Sequence, residues 1–146
     1  MFSKACQYGI RAVIYVWKKS LQDQKVGAKE ISKHVDAPEP FTAKILQTLV
    51  RQKILGSQKG PSGGFYVDEK HEKFTLKDLV EAIDGDELFN GCSLGLEECS
   101  EENPCPLHSE IKKVRVHVVH MLTKKSLKQL AQEVESGSTV LSRLLN

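Results

Sequence analysis

Apolar residues recur every three or four positions along the first half of the chain. Ile10, Val13, Ile14 and Trp17 mark one face of a first helix, which Ser3 is placed to cap. Ala28, Ile31 and Val35 mark a short second helix. The run D-A-P-E-P ends it, because neither Pro38 nor Pro40 can continue a helix, although Pro40 can begin one. Phe41, Ile45 and Leu49, with Leu46 and Val50 beside them, give a third helix its inward face. The pattern then changes. Gly60, Pro61, Gly63 and Gly64 separate Leu55 from the strand-like Phe65-Tyr66-Val67, which predicts a β-hairpin with a glycine-rich tip. Helical spacing returns at Leu76, Leu79, Val80 and Ile83, with Thr75 and Gly85 as caps.

The stretch from Gly91 to His108 has little to bury. Beyond it, Leu107, Ile111, Val114, Val118, Met121 and Leu122 form a stripe along one helix, while Val116 and Val119 lie on another side. Two apolar flanks predict contact with two bodies. One is the helix's own domain; the other is a second copy of the chain, met through Ile111, Val114, Val118, Met121 and Leu122 in a two-fold interface. His117 and His120 share the polar side with Lys113 and Lys124 and read as surface residues. Ser126 and Gln129 make a capping box for a last helix through Val134, followed by a tail. The predicted fold is mainly α with a small β wing. A winged helix-turn-helix domain spans 1–86, a cysteine-rich loop 87–106, a long dimerisation helix 107–124, and a short helix with tail 125–146.

Charge sharpens this division. The net value of +2 hides a head of 67 residues carrying +7, a middle from 68 to 111 carrying −10 and an end carrying +5. A basic head points to a polyanion, and two short helices followed by a basic hairpin have the form of a winged helix-turn-helix that enters the DNA major groove. Its second helix would bring Pro40, Thr42, Ala43, Lys44 and Gln47 to the bases, Gln47 suiting adenine and Lys44 guanine or phosphate. Lys59, Ser62 and Gly63 in the wing would meet phosphate or the minor groove. Lys18, Lys19 and Lys29 could add positioning contacts. No helix opens directly after the glycines, so a nucleotide-phosphate loop is excluded by context. No nucleophile with its base and no nucleotide fingerprint is apparent, which argues against an enzyme. No apolar run is long enough to span a membrane, and the start lacks the shape of a signal peptide, so a cytoplasmic protein is expected.

In that compartment, cysteines read as ligands or redox sensors more readily than as disulfides, although their even number leaves disulfides open. Cys92, Cys99 and Cys105 lead to His108 with the spacing C-x6-C-x5-C-x2-H. Thiolates and imidazole select zinc, copper or iron-sulfur clusters, and a bound metal would order a loop with no core of its own. The absence of tight C-x2-4-C knuckles favours an iron-sulfur cluster over zinc. A cluster-free regulator that senses thiols or small molecules, or works through a partner protein, is the alternative. Cys105, between two prolines, is expected at the N-cap of the next helix, where the dipole favours its thiolate. Cys6 is expected to pack in the core as a small hydrophobe, with a ligand role still open.

Nearly the whole chain resembles the Rrf-type family of bacterial winged-helix repressors that includes IscR, NsrR and CymR. The resemblance runs through Tyr8-Gly9-Ile10-Arg11-Ala12, the helix-turn-helix, the wing G-P-S-G-G-F-Y, the helix T-L-K-D-L-V-E-A-I-D-G, the cysteine loop and the late S-L-K-Q-L. It implies a homodimer on an inverted-repeat operator, joined through the long helix, with a cluster whose state alters DNA binding. The IscR-like cysteine pattern implies a [2Fe-2S] cluster on Cys92, Cys99, Cys105 and His108. A [4Fe-4S] cluster of the NsrR kind is less favoured, since Gln7 stands where such members carry a carboxylate. The chain departs from the family at Pro38-Glu39-Pro40, in place of a serine-rich entry. At Ala43 a base-reading glutamate is replaced, so a different operator sequence is expected.

Overall fold

A computed structural model describes residues 1–141. The expected tail falls partly on residues 142–146, outside the described residues. Among the described residues, seven α-helices and one two-stranded sheet follow the order α1 (Lys4–Ser20), α2 (Ala28–Val35), α3 (Glu39–Arg51), β1 (Gly56–Gln58), β2 (Gly64–Tyr66), α4 (Leu76–Asp84), α5 (Glu87–Asn90), α6 (His108–Thr123) and α7 (Leu127–Glu135). The mainly α fold with a β wing is the one the apolar spacing predicts.

Helix α1 organises the core. Ser3 caps it by accepting a hydrogen bond from the Cys6 backbone N–H at 3.0 Å. Its face of Cys6, Ala12, Val13, Val16 and Trp17 is buried, and it touches α2, α3, α4, α7 and β2. Cys6 is fully enclosed. Burial, and then the charge of nearby Asp84, push its thiol up to about 12, so it stays protonated and is not a ready ligand. Among the described residues it stands apart from the three thiols that gather in the later loop.

The helix-turn-helix is built as its sequence predicts, with one refinement. Helix α2 ends where Asp36 takes a left-handed backbone (φ 56°), a conformation Asp tolerates better than most residues. Pro38 caps α3, so the helix begins at Glu39 and Pro40 lies just inside its first turn. Ile45, Leu46 and Leu49 are buried as expected. Phe41 is not. It lies in the first turn of α3 beyond the core and stacks edge-on against Tyr8, with ring centroids 5.8 Å apart.

The wing is antiparallel, pairing Gly56 with Tyr66, Ser57 with Phe65 and Gln58 with Gly64. Val26 adds a bridge on its other side, exchanging backbone hydrogen bonds with Phe65 at 3.0 and 2.7 Å. This bridge makes Gly64 obligatory. At φ 139° a Cβ there would meet the Val26 backbone at 2.8 Å, strained in both conformation and space.

Thr75 and Asp78 cap α4 through a capping box, and Ser126 and Gln129 do the same for α7. The C-terminal part is not an appendage. Leu127 and Ala131 of α7 are buried, α7 rests on α1, and the Leu127 N–H donates to the Phe74 carbonyl at 2.9 Å.

Helix α6 divides its apolar residues differently from the expected stripe. Val118 and Leu122 point into the chain's own core, where α6 rests on α4, and Leu122 is 1% exposed. Ile111 is half-buried. Leu107, Val114 and Met121 remain 44%, 55% and 43% exposed, and their seven-residue spacing puts them on one ridge. The reason is angular: residues four apart share the inward face, and the heptad ridge lies beside it. His117 and His120 are exposed, as expected.

Candidate metal centre and nucleic-acid surface

The cysteine loop leaves α5 at Gly91 and rejoins helix at His108. Arg115, reaching back from α6, fixes its start by donating to the carbonyls of Leu88 (3.2 Å) and Gly91. Cys92 therefore follows a clamped backbone. A turn with a 3.0 Å bond from the His108 N–H to the Cys105 carbonyl closes the other end. Helix α6 thus begins at His108 with Leu107 as its cap, not at Cys105, because Pro106 opens a turn that precedes the helix. Cys105 stays one turn upstream of the helix N-terminus.

These constraints bring the four predicted ligands together. The Sγ atoms of Cys92, Cys99 and Cys105 all lie within 4.8 Å of one another, the first and last 3.8 Å apart. His108 Nδ1 is 3.3 Å from Cys99 Sγ. Each side chain is partly buried, and the four line one cleft with Arg115 and Ile111. The local electrostatics favour a thiolate. Backbone N–H groups of Leu96 and then Leu94 hold the Cys92 thiol down to about 7. At Cys99 the Cys105 N–H acts in the same direction, donating at 3.4 Å, but burial and the neighbouring thiols outweigh it and raise the thiol. Crowded sulfurs that resist charging together are relieved by a cation. Three soft sulfurs and one imidazole, partly buried and gathered in one cleft, therefore fit a metal ion or an iron-sulfur cluster.

Glu101 completes the surroundings. It pairs with Lys112 and stands 3.4 Å from His108 Nε2, and these two partners, Lys112 first, hold its carboxyl below the usual range. Sequence spacing gave no sign of this residue, since it lies among four acids in an otherwise polar loop.

The second surface is basic. On α3 the exposed residues Pro40, Lys44, Gln47 and Arg51 fall at spacings of four, three and four, which makes them one solvent-facing stripe. Arg51 was missed by the sequence reading, although the polar periodicity that carries it was readable. Ala43 is half-buried beside the stripe. Thr42 departs from expectation: it is 1% exposed, faces inward, and its hydroxyl has no hydrogen-bond partner. Inward position follows from its neighbours Ile45, Leu46 and Leu49, which share that side of the helix. In the wing, Lys59 and Ser62 are exposed, whereas Gly63 is half-buried, a Cβ there falling 2.1 Å from the Gln58 carbonyl oxygen. Lys29 is exposed, but Lys18 is engaged with Glu135 of α7 at 3.5 Å.

A helix-turn-helix with a wing and an exposed basic stripe has the form of a DNA-binding transcription regulator. The chain belongs to the Rrf2 family, described as iron-dependent transcriptional regulators, whose sequence profile matches residues 2–133. It is 28% identical over 145 residues to an HTH-type transcriptional regulator of Aquifex aeolicus, covering 98% of this chain and 99% of that one. It is 25% identical over 136 residues to the HTH-type regulator BadM of Rhodopseudomonas palustris, covering 91% and 82%. In fold it is similar to CymR, the global cysteine regulator of B. subtilis (TM-score 0.73, 20% identity, 90% of this chain and 96% of that one). It is also similar to T. potens IscR (TM-score 0.72, 16% identity, 96% and 92%). Among the described residues no helix is long and apolar enough to cross a membrane.

Proposed function

We propose that the protein is a homodimeric regulator whose affinity for an inverted-repeat operator is set by an iron-sulfur cluster held by Cys92, Cys99, Cys105 and His108. The convergence of three thiols and one imidazole at the foot of α6 carries this reading. When bound, the cluster would supply a bond between loop and helix that oxidants, nitric oxide or iron shortage can break. The chain's own residues do the rest. Arg115 transmits the loop's position to α6, and the exposed ridge of Leu107, Val114 and Met121 offers a second copy a heptad seam, with Ile111 at its edge. Val118 and Leu122, buried behind that seam, couple it to α4 and so to the DNA-binding head. Two heads joined this way read operator half-sites at a fixed separation. A small rotation at α6 therefore changes affinity steeply.

Pro40, Lys44 and Gln47 with Arg51 would face the major groove, and Lys59 with Ser62 and the Gly63 backbone the flanking phosphates. A [2Fe-2S] cluster is favoured over [4Fe-4S], because the ligand pattern ending in His108 resembles that of IscR and Gln7 stands where [4Fe-4S] members carry a carboxylate.

One distance supports a second reading. A tetrahedral zinc with Zn–S bonds of about 2.3 Å separates its sulfurs by roughly 3.8 Å, the spacing of Cys92 and Cys105. Anaerobic purification followed by iron, sulfide and zinc counts, with visible and Mössbauer spectra, separates the two. Iron and sulfide in equal amounts, lost together in Cys92→Ala, Cys99→Ala and Cys105→Ala, are expected; zinc alone, or a full cluster in all three variants, overturns the assignment.

A further inference from the structure

The two ring nitrogens of His108 face different partners, and this decides which of them can ligate. Nδ1 lies 3.3 Å from Cys99 Sγ. Nε2 is shut off from solvent without a well-formed hydrogen bond, and its acidic neighbour is Glu101, whose Oε1 is 3.4 Å away. A buried ring nitrogen without a partner is costly, and a closing movement of a few tenths of an ångström converts this contact into a charge-assisted hydrogen bond. Glu101 is itself held, because Lys112 pairs with the same oxygen. Lys112 is four residues after His108, so the carboxylate bridges two side chains on one face of α6.

A neutral imidazole carries its proton on one nitrogen only. A carboxylate facing Nε2 draws the proton there and leaves the Nδ1 lone pair aimed at the thiols. We propose that Glu101 is a positioning residue that fixes His108 in the tautomer presenting Nδ1 as the fourth ligand beside Cys92, Cys99 and Cys105. The inference rests on the metal-site reading above, but it holds for a single ion as well as for a cluster. If the ring were turned over, Nε2 would ligate and Nδ1 would face Glu101.

Cadmium alone is a suitable probe, being thiophilic and carrying a spin-half isotope. The first measurement is proton NMR of the reduced, metal-free full chain loaded with cadmium-113. Ligation through Nδ1 places only Hε1 three bonds from the metal, whereas ligation through Nε2 places both Hε1 and Hδ2 three bonds away. Coupling to Hε1 of His108 alone is expected; coupling to both protons, or to neither, overturns the proposal.

The second measurement is cadmium affinity. Glu101→Ala is expected to weaken binding about 10- to 100-fold, the usual effect of removing an outer-shell partner. Glu101→Gln keeps an acceptor oxygen and is expected to restore most of the loss. In a His108→Ala background, Glu101→Ala should change nothing further. An equal loss in both backgrounds would make Glu101 a staple of the loop and overturn its action through His108. Binding of cadmium with the expected pattern by a protein that takes up no iron and sulfide would leave Glu101 its role and remove only the cluster reading. No cadmium binding at all would remove both.

Discussion

At the scale of single residues, Thr42 separates a groove contact from a core contact. Its hydroxyl is buried and unpartnered, a state that typically costs about 1–3 kcal/mol. Valine has the same shape without the polar atom. Thr42→Val is therefore expected to raise stability by about 1 kcal/mol in denaturant titrations while leaving DNA affinity unchanged. A loss of affinity as large as that of Gln47→Ala would restore Thr42 to the reading face. Gly64 gives the opposite case. Its φ of 139° and the Val26 backbone 2.8 Å from a would-be Cβ make Gly64→Ala costly, by roughly 1–3 kcal/mol, through both backbone strain and crowding. Weakened DNA binding should accompany it, since the bridge to Val26 holds the wing against the head.

At the scale of elements, the joint between α1 and α2 sets the pose of the helix-turn-helix and carries a titrating group. His34 stacks on Tyr15 with centroids 3.9 Å apart, and the Tyr15 hydroxyl donates to Glu30 at 2.9 Å. His34 is partly covered by Tyr15 and otherwise exposed; that cover first, then the charges of Lys18, Arg11 and Lys19, hold the imidazole below its ordinary value of 6.5. The unfolded chain thus takes up a proton near pH 6.5 that the folded chain resists, so stability falls as pH drops below about 6.5. His34→Phe keeps the stack and should flatten that part of the pH profile of the unfolding midpoint; an unchanged slope would assign the sensitivity elsewhere. Helix α6 shows what was and was not legible in the sequence. Its existence and its two apolar flanks follow from spacing, as do the caps at Ser3, Thr75 and Ser126. The sorting of Val118 and Leu122 to the core and of Val114 and Met121 to the outside does not, because both sets fit one broad stripe and only the packing of α6 on α4 divides them. The gathering of Cys92, Cys99, Cys105 and His108 was legible from their chemistry, whereas the parts of Glu101 and Arg115 were not, since an acid among acids and an arginine in a helix carry no local signature. Leu122→Ala is accordingly expected to destabilise the folded chain by about 2–5 kcal/mol, as large-to-small core changes do. Val114→Glu should leave the fold intact, read by thermal unfolding, and abolish association, read by sedimentation-equilibrium mass.

At the scale of the whole molecule, charge and association act on the same observable. The head carries +7 and the middle segment, residues 68–111, −10, so a duplex would attract the head and repel the middle. Each phosphate neutralised releases counterions, and the affinity falls with salt at a log-log slope of about −0.9 per contact. A dimer presents two reading stripes of Lys44, Gln47 and Arg51 and two wings bearing Lys59, whereas a monomer presents one of each. Binding to a duplex selected from a random pool, followed by fluorescence anisotropy across a salt series, should therefore give a steep slope for the native chain and about half that slope for Val114→Glu. Lys44→Ala and Arg51→Ala should each lower the dimer's slope by roughly two, one contact from each head. Equal slopes for native chain and Val114→Glu, with association abolished in the latter, would mean that a single head makes all the contacts and that α6 does not set half-site spacing.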